Sequence, residues 1–163
     1  MSDKNSVNYW QIIEPIWRDE NLNSDDPQIF LKRFSQLSKP QQVLFPVHWL
    51  DAEVGNGGFH QFFANPTGIL APEAVSGFRV IGLDDFAELI EEAMSFFGNP
   101  YPREREKREK LLDLFDEQNK DGWSPFVEKD NSYDDLRVIE GVSLMDNDRI
   151  AVAIDKYAAK FLN

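Results

Sequence analysis

The chain has only two histidines, His48 and His60, and they flank a glycine-rich run. The polar residues around them are Asp51, Glu53, Asn56 and Gln61. Imidazole and carboxylate groups are the usual ligands of zinc or iron, and they are also the usual acid–base pairs of enzymes. However, His48 and Glu53 are five positions apart and would point to different faces of a helix, and no His-Glu-x-x-His or His-x-His spacing occurs. We therefore predict no metal site here.

Other catalytic patterns are missing from the sequence. It contains no cysteine, which excludes thiol nucleophiles and zinc ribbons. The glycine run at 55–58 lacks the lysine of a phosphate-binding loop and the pattern of a dinucleotide fingerprint, and there is no Gly-x-Ser-x-Gly elbow. We predict a protein that is not an enzyme and holds no cofactor. An enzyme or small-ligand binder with a site at the turn 56–59 is kept as an alternative.

Negative charge is the most unusual property of the chain. Asp and Glu total 29 against 17 Lys and Arg, which gives a formal charge of −12. Such a balance opposes direct nucleic-acid binding, because phosphates are neutralised by Lys and Arg. Solubility alone explains many acidic surfaces. Here the acids concentrate in residues 113–148, which predicts an electrostatic binding surface. The candidate residues are Asp113, Asp116, Glu117, Asp121, Asp130, Asp134 and Asp135, with Glu88 and Glu92 from an earlier helix.

The hydrophobic spacing predicts an all-α fold: one domain over 1–163, a compact bundle of about seven helices. An amphipathic stripe from Tyr9 to Trp17 is interrupted by Pro15, which bends or restarts the helix. Asp26-Pro27 predicts a capped helix with Phe30, Leu31, Phe34 and Leu37 inward, and Ser38 with Pro40 starts the next. Glycines at 55–58 predict a sharp turn followed by a short helix over 59–64.

Later helices follow the same signals. Pro72 opens a helix that stops at Gly82, Asp84 or Asp85 caps one that ends at Gly98, and Asp146 or Asn147 caps the last. Residues 103–118 predict a helix with a solvated, charge-alternating face. The breakers Gly122, Pro125 and Gly141 leave 123–143 with a short strand or extended loop as the expectation. With a polar N-terminus and no apolar run of about 18 residues, we expect a cytoplasmic protein that does not bind membranes.

The run from Glu53 to Gly68 also resembles a family signature. Its residues are Glu53, Asn56, Gly57, Gly58, Phe59, Gln61, Asn65 and Gly68. They resemble a family of small acidic helical domains of unknown function that includes a bacterial DNA-mimic protein. The resemblance implies an all-α fold and, from its best-known member, homodimerisation and competition with DNA for a DNA-binding protein. From the residues alone, a tight turn closed by phenylalanines predicts a structural role for this run.

The function predicted from these patterns is protein binding. An acidic domain would occupy the basic site of a nucleic-acid-binding protein, DNA- or RNA-binding, as a DNA mimic. An immunity protein that neutralises a basic nuclease toxin would use the same charge and is the nearest alternative.

Overall fold

The computed structural model describes residues 8–120, 124–138 and 148–162. The expected all-α fold is confirmed, with eight α-helices in these ranges. They are α1 (Trp10–Ile13), α2 (Pro27–Phe34), α3 (Lys39–Ala64), α4 (Ala71–Val80), α5 (Asp84–Ser95), α6 (Arg105–Gln118), α7 (Val127–Arg137) and α8 (Arg149–Ala158). Two 3₁₀ turns, Glu14–Ile16 and Pro66–Leu70, follow α1 and α3. In the described ranges none of the helices is both long and apolar enough to cross a membrane.

Helix α3 is the centre of the fold, because α1, α4, α6 and α7 all pack against it. Its buried side chains are mostly aliphatic in the first half and aromatic in the second, where Phe59, Phe62 and Phe63 are fully buried. Phe78, Phe86, Phe126 and Tyr133 from later helices complete this core. Large aromatic side chains bury much apolar area each and so contribute strongly to the stability of this core.

Several helix boundaries lie where the sequence predicts them. The Asp26 side chain caps α2 by accepting from the backbone N–H groups of Gln28 and Ile29, and Pro27 is the first helical residue. Ser38 and Gln41 form a reciprocal capping box at the start of α3. Gly82 and Gly98, with φ of 85° and 91°, end α4 and α5. The interruption at Pro15 is also confirmed, because the chain tightens there into a 3₁₀ turn.

Three local predictions are wrong. Leu31 is 40% exposed rather than inward. Helix α5 begins at Asp84 itself with Leu83 before it, so neither Asp84 nor Asp85 is its cap residue. The last helix is capped by Asp148, whose carboxylate accepts from the N–H groups of Ile150 and Ala151; Asp146 and Asn147 lie outside the described residues. The two capping errors are shifts of one or two residues, and the error at Leu31 concerns which face of the helix is buried.

Where a short strand or extended loop was expected near 123–143, the described residues form a helix over Val127–Arg137; residues 123 and 139–143 lie outside the described ranges. Outside this helix, Val138 makes an isolated antiparallel bridge with Asp148. Only Tyr133 is buried in α7, so the hydrophobic stripe that marks an amphipathic helix is absent from its sequence. Polar tertiary contacts hold this helix in place, and such contacts produce no hydrophobic periodicity in the sequence from which a helix could be predicted.

Candidate functional site

The glycine turn breaks α3 into two helical halves, as predicted. Gly57 has φ −151° and ψ 20°, and Gly58 has φ 74° and ψ −177°. The positive φ of Gly58 disfavours any side chain, and a Cβ there would lie 2.6 Å from Oδ2 of Asp130. The turn therefore leaves room for the carboxylate of a residue from α7.

Asp130 uses that space to cap the second half of α3. Its Oδ1 accepts a hydrogen bond of 2.7 Å from the backbone N–H of Phe59, one of the N–H groups that have no partner within the new helix start. Burial raises the pKa of Asp130, and the neighbouring carboxylate of Asp134 raises it further. Asp130 is half-buried, and its hydrogen bond to Phe59 places it on the side of α7 that faces α3.

Glu53 joins the two halves of α3 to the turn that follows. Its carboxylate accepts from Gln61 Nε2 at 2.6 Å, from Asn65 Nδ2 at 2.8 Å and from Thr67 Oγ1 at 3.1 Å. Asn56 Nδ2 in turn donates to Gln61 Oε1 at 3.1 Å. A half-buried carboxylate needs such donors to offset the hydration that it loses. The polar residues of the signature thus form one hydrogen-bonded network.

Arg108 is a buried cation that the sequence analysis assigned to a solvated helix face. It is 0% exposed, and its guanidinium donates to the carbonyl oxygens of Phe63 at 2.9 Å, Asn65 at 3.1 Å and Arg103. Gly68 packs directly against it, because a Cβ at Gly68 would lie 2.9 Å from Arg108 Nε and from the Phe62 carbonyl oxygen. The signal was available: 108 is three, four and seven positions before the inward residues 111, 112 and 115.

The two histidines lie in separate environments. His48 Nδ1 is 2.8 Å from the Tyr9 hydroxyl, among the rings of Trp10, Trp17 and Trp49, and burial lowers the pKa of its imidazole. His60 Nε2 is 3.3 Å from Asp116 Oδ2, near the surface. Across the described residues no three His, Cys, Asp or Glu side chains are grouped to hold a metal ion. Of the residues of the enzyme alternative, Glu53, Asn56 and Gln61 share one hydrogen-bonded network, whereas the hydrogen bonds of His48 and His60 go to other residues.

Helix α7 is held by its inner face through three polar side chains. Tyr133 donates to Asp51 Oδ1 at 3.1 Å, Arg137 binds Asp51 at 2.5 Å and also Asp148, and Lys129 binds Glu92 of α5. Burial raises the pKa of the Tyr133 hydroxyl well above its usual value. The outer face of α7 carries the exposed carboxylates of Glu128, Asp134 and Asp135.

A groove between α5 and α7 brings together predicted residues from distant parts of the chain. It has a volume of about 480 Å³ and is lined by Asp85, Glu88, Leu89, Glu92, Lys129, Ser132, Asp135 and Leu136. Glu88, Glu92 and Asp135, all predicted from sequence, thus share one concave surface, which we call the acidic groove. Asp134, the neighbour of Asp135, lines a second concave surface beside Gly55.

The remaining predicted acids lie on or next to α6. Asp113, Asp116 and Glu117 are exposed on its last turns, and Asp116 faces His60. Asp121 lies outside the described residues. Asp116 of α6 contacts His60 of α3, and Asp130 of α7 lies near both His60 and Asp134. The candidates therefore include one group at the acidic groove and one near His60.

The cations of α6 and α7 are almost all neutralised within the chain. Arg105, Lys107 and Lys110 pair with glutamates of the same segment, Lys129 and Arg137 pair as described above, and Arg108 is buried. By contrast, seven exposed carboxylates of α5, α6 and α7 have no cation within 4 Å among the described residues. They are Asp84, Glu88, Asp113, Glu117, Glu128, Asp134 and Asp135.

Comparison with known proteins relates these observations to a family. The sequence model of the DMP19-like protein family matches residues 35–159, which include α3 to α8, the signature network and the acidic groove. Searches of curated proteins and of solved structures found no significant match. Because the family match extends over most of the chain, the resemblance noted at Glu53 to Gly68 is confirmed: the chain belongs to the DMP19-like protein family.

Proposed function

We propose that this protein binds a basic, nucleic-acid-binding protein through the carboxylates of α5, α6 and α7, as a DNA mimic. The observation that carries the proposal is the set of seven exposed carboxylates that have no cation partner within the part of the chain that the structure describes. The family, which includes a bacterial DNA-mimic protein, supports the same role. Acidic residues that served only to balance nearby lysines and arginines would be paired, as those of the first turns of α6 are.

Rigid helices suit this role because they fix the spacing of charges. Carboxylates four residues apart, such as Asp84, Glu88 and Glu92, are separated by about 6 Å along the helix axis. A basic surface that binds such a row exchanges its counterions for fixed charges, as it would on a phosphate backbone. Complementary charge also speeds association and aligns the partners. The contacts of α7 with α3, α5 and α8 keep its carboxylates in a defined position relative to those of α5.

The test is to purify partners at low salt with the tagged protein and then to add duplex DNA. A DNA mimic predicts that the captured protein binds DNA, that DNA displaces it, and that affinity falls steeply as salt rises. A captured nuclease would point to the immunity-protein alternative, which uses the same charge. A partner whose binding is indifferent to salt and to DNA would contradict the proposal.

A matched pair of variants locates the surface. Glu88→Gln with Asp134→Asn and Asp135→Asn removes three unpaired charges from α5 and α7. Glu14→Gln with Glu20→Gln and Asp25→Asn removes three exposed charges outside the region matched by the family. Partner affinity should fall at least tenfold in the first variant and change little in the second. Equal losses in both would mean that net charge, and not this surface, governs binding.

A further inference from the structure

Two acids of the acidic groove bind cations of the chain, Lys129 from the groove lining and Arg149 from outside it. Asp85 binds Arg149 through two contacts of 2.7 and 3.2 Å, and Glu92 binds the ammonium of Lys129. Glu88 and Asp135 lie along the groove with no cation partner among the described residues. Leu89, which is buried, and the half-buried Leu136 supply an apolar lining.

The two cations are held very differently. Arg149 is fixed by its two contacts with Asp85, by a third hydrogen bond of 3.0 Å to the Leu136 carbonyl oxygen and by the ring of Phe86, 5.3 Å away. Lys129 has one partner, Glu92, whose side chain is 61% exposed. A lysine joined by one contact to an exposed carboxylate is more easily exchanged than an arginine held by three hydrogen bonds and an aromatic ring.

We propose that Lys129 is an intramolecular occupant of the acidic groove, which an arginine or lysine of a basic partner segment displaces from Glu92. The inference rests on the proposed function and specifies how that function would work. The freed groove would offer Glu88, Glu92 and Asp135 to the partner's cations and its leucine lining to the partner's alkyl stems. Lys129 thereby lowers the affinity for weakly basic segments, which is a form of selectivity.

The test measures binding of a fluorescein-labelled peptide of eight arginines by fluorescence anisotropy at about 50 mM salt. Lys129→Gln frees Glu92, and Lys110→Gln frees Glu106 from a pair that is more exposed at both residues; both variants have the same net charge. Because a single ion pair with an exposed carboxylate is weak, Lys129→Gln should bind the peptide about two- to fivefold more tightly than Lys110→Gln. Equal affinities would overturn the displacement of Lys129.

An arginine at the same position gives a second test in which net charge is constant. Lys129→Arg can hold Glu92 through two hydrogen bonds, so the peptide should bind more weakly than to the wild-type protein. Lys110→Arg should leave the affinity unchanged. If Lys129→Arg binds as tightly as wild type, Lys129 does not compete with the peptide.

A third pair of variants separates this inference from the proposed function. Glu88→Gln should weaken peptide binding more than Glu20→Gln, which removes an exposed charge far from the groove in sequence. If Glu88→Gln weakens binding while the Lys129 and Lys110 variants agree with each other, the groove binds cations and only the displacement is wrong. If Glu88→Gln and Glu20→Gln weaken peptide binding equally, the groove is not a binding site for cations and Lys129 is not displaced from it. The proposed function is then decided by the DNA-displacement experiment.

Discussion

The carboxylate of Asp130 accepts a hydrogen bond from the backbone N–H of Phe59, 71 residues earlier in the chain. Through this bond, an acidic residue of α7 caps the second half of the central helix α3. Gly58 makes the approach possible, because its missing side chain leaves the volume that the carboxylate fills. The family signature in α3 and the charged helix α7 are therefore parts of one arrangement.

This capping role predicts different results for two substitutions of Asp130. Asp130→Ala removes the acceptor and should lower the free energy of unfolding by about 0.5–2 kcal/mol. Asp130→Asn keeps an oxygen acceptor and removes a charge that burial disfavours, as the raised pKa indicates, so it should be at least as stable as the wild type at pH 7. Urea unfolding measures both. If Asn is as destabilising as Ala, the charge of Asp130 is needed and the capping explanation is incomplete.

Gly58 should tolerate alanine less well than Gly82 does. Both have positive φ, and Gly58, with ψ −177°, lies in a region that is essentially restricted to glycine, so alanine should cost about 1–3 kcal/mol in backbone strain at each position. Gly82 has no atom within 4 Å of a new Cβ, whereas at Gly58 the Cβ would clash with Asp130, which adds about 1–3 kcal/mol. Thermal unfolding of Gly58→Ala, Gly82→Ala and Gly58→Ala with Asp130→Gly separates the two costs. The clash explanation requires that the double variant recover part of the loss.

Arg108 should be irreplaceable by lysine. A lysine ammonium cannot reproduce the fork that reaches the carbonyl oxygens of Phe63, Asn65 and Arg103, and each buried carbonyl left unpaired costs about 1–3 kcal/mol. We expect Arg108→Lys to lower the free energy of unfolding by about 3 kcal/mol or more. Arg79→Lys, in an exposed pair with Glu91, is the control and should change stability little. Similar stabilities of the two variants would contradict a structural role for Arg108.

His48 predicts a loss of stability in mild acid. Burial lowers the pKa of His48 in the folded protein below its usual 6.5, so as pH falls the unfolded chain takes up the proton first. Stability from the neutral imidazole is therefore fully present above about pH 6.5 and is lost as pH falls towards the folded pKa. Unfolding free energies at pH 7.5 and 5.5 measure the loss, and His48→Gln should reduce the difference. An equal difference in His60→Gln and His48→Gln would assign the effect elsewhere.

Local signals in the sequence predicted much of the fold because their causes are local. Asp26 before Pro27, and the glycines at 82 and 98, act through backbone geometry within a few residues. The break at Gly58 has the same origin. The boundaries that were missed, such as the cap at Asp148, are cases in which several acidic residues follow one another and each could cap a helix.

Helix α7 was not predicted because long-range polar contacts determine it, whereas the burial of Arg108 was missed although its spacing from residues 111, 112 and 115 indicated it. Tyr133 is held by Asp51 and Arg137 by Asp51 and Asp148, partners between 11 and 86 residues away. Asp, Asn and Ser are poor helix formers, so local propensity does not favour α7. The grouping of Glu88 with Asp135 likewise depends on how α5 packs against α7, which no spacing within either helix reveals.

The network around Glu53 has a consequence for how relatives of this protein should be compared. The carboxylate of Glu53 accepts hydrogen bonds from Gln61, Asn65 and Thr67 within the domain. None of the seven exposed acids without a cation partner among the described residues belongs to the signature. Proteins that carry this signature would therefore share the fold and still differ in the partner that each of them binds. The residues that determine the binding partner should be sought at the exposed positions of α5, α6 and α7, where a single substitution changes the binding surface without disturbing the fold.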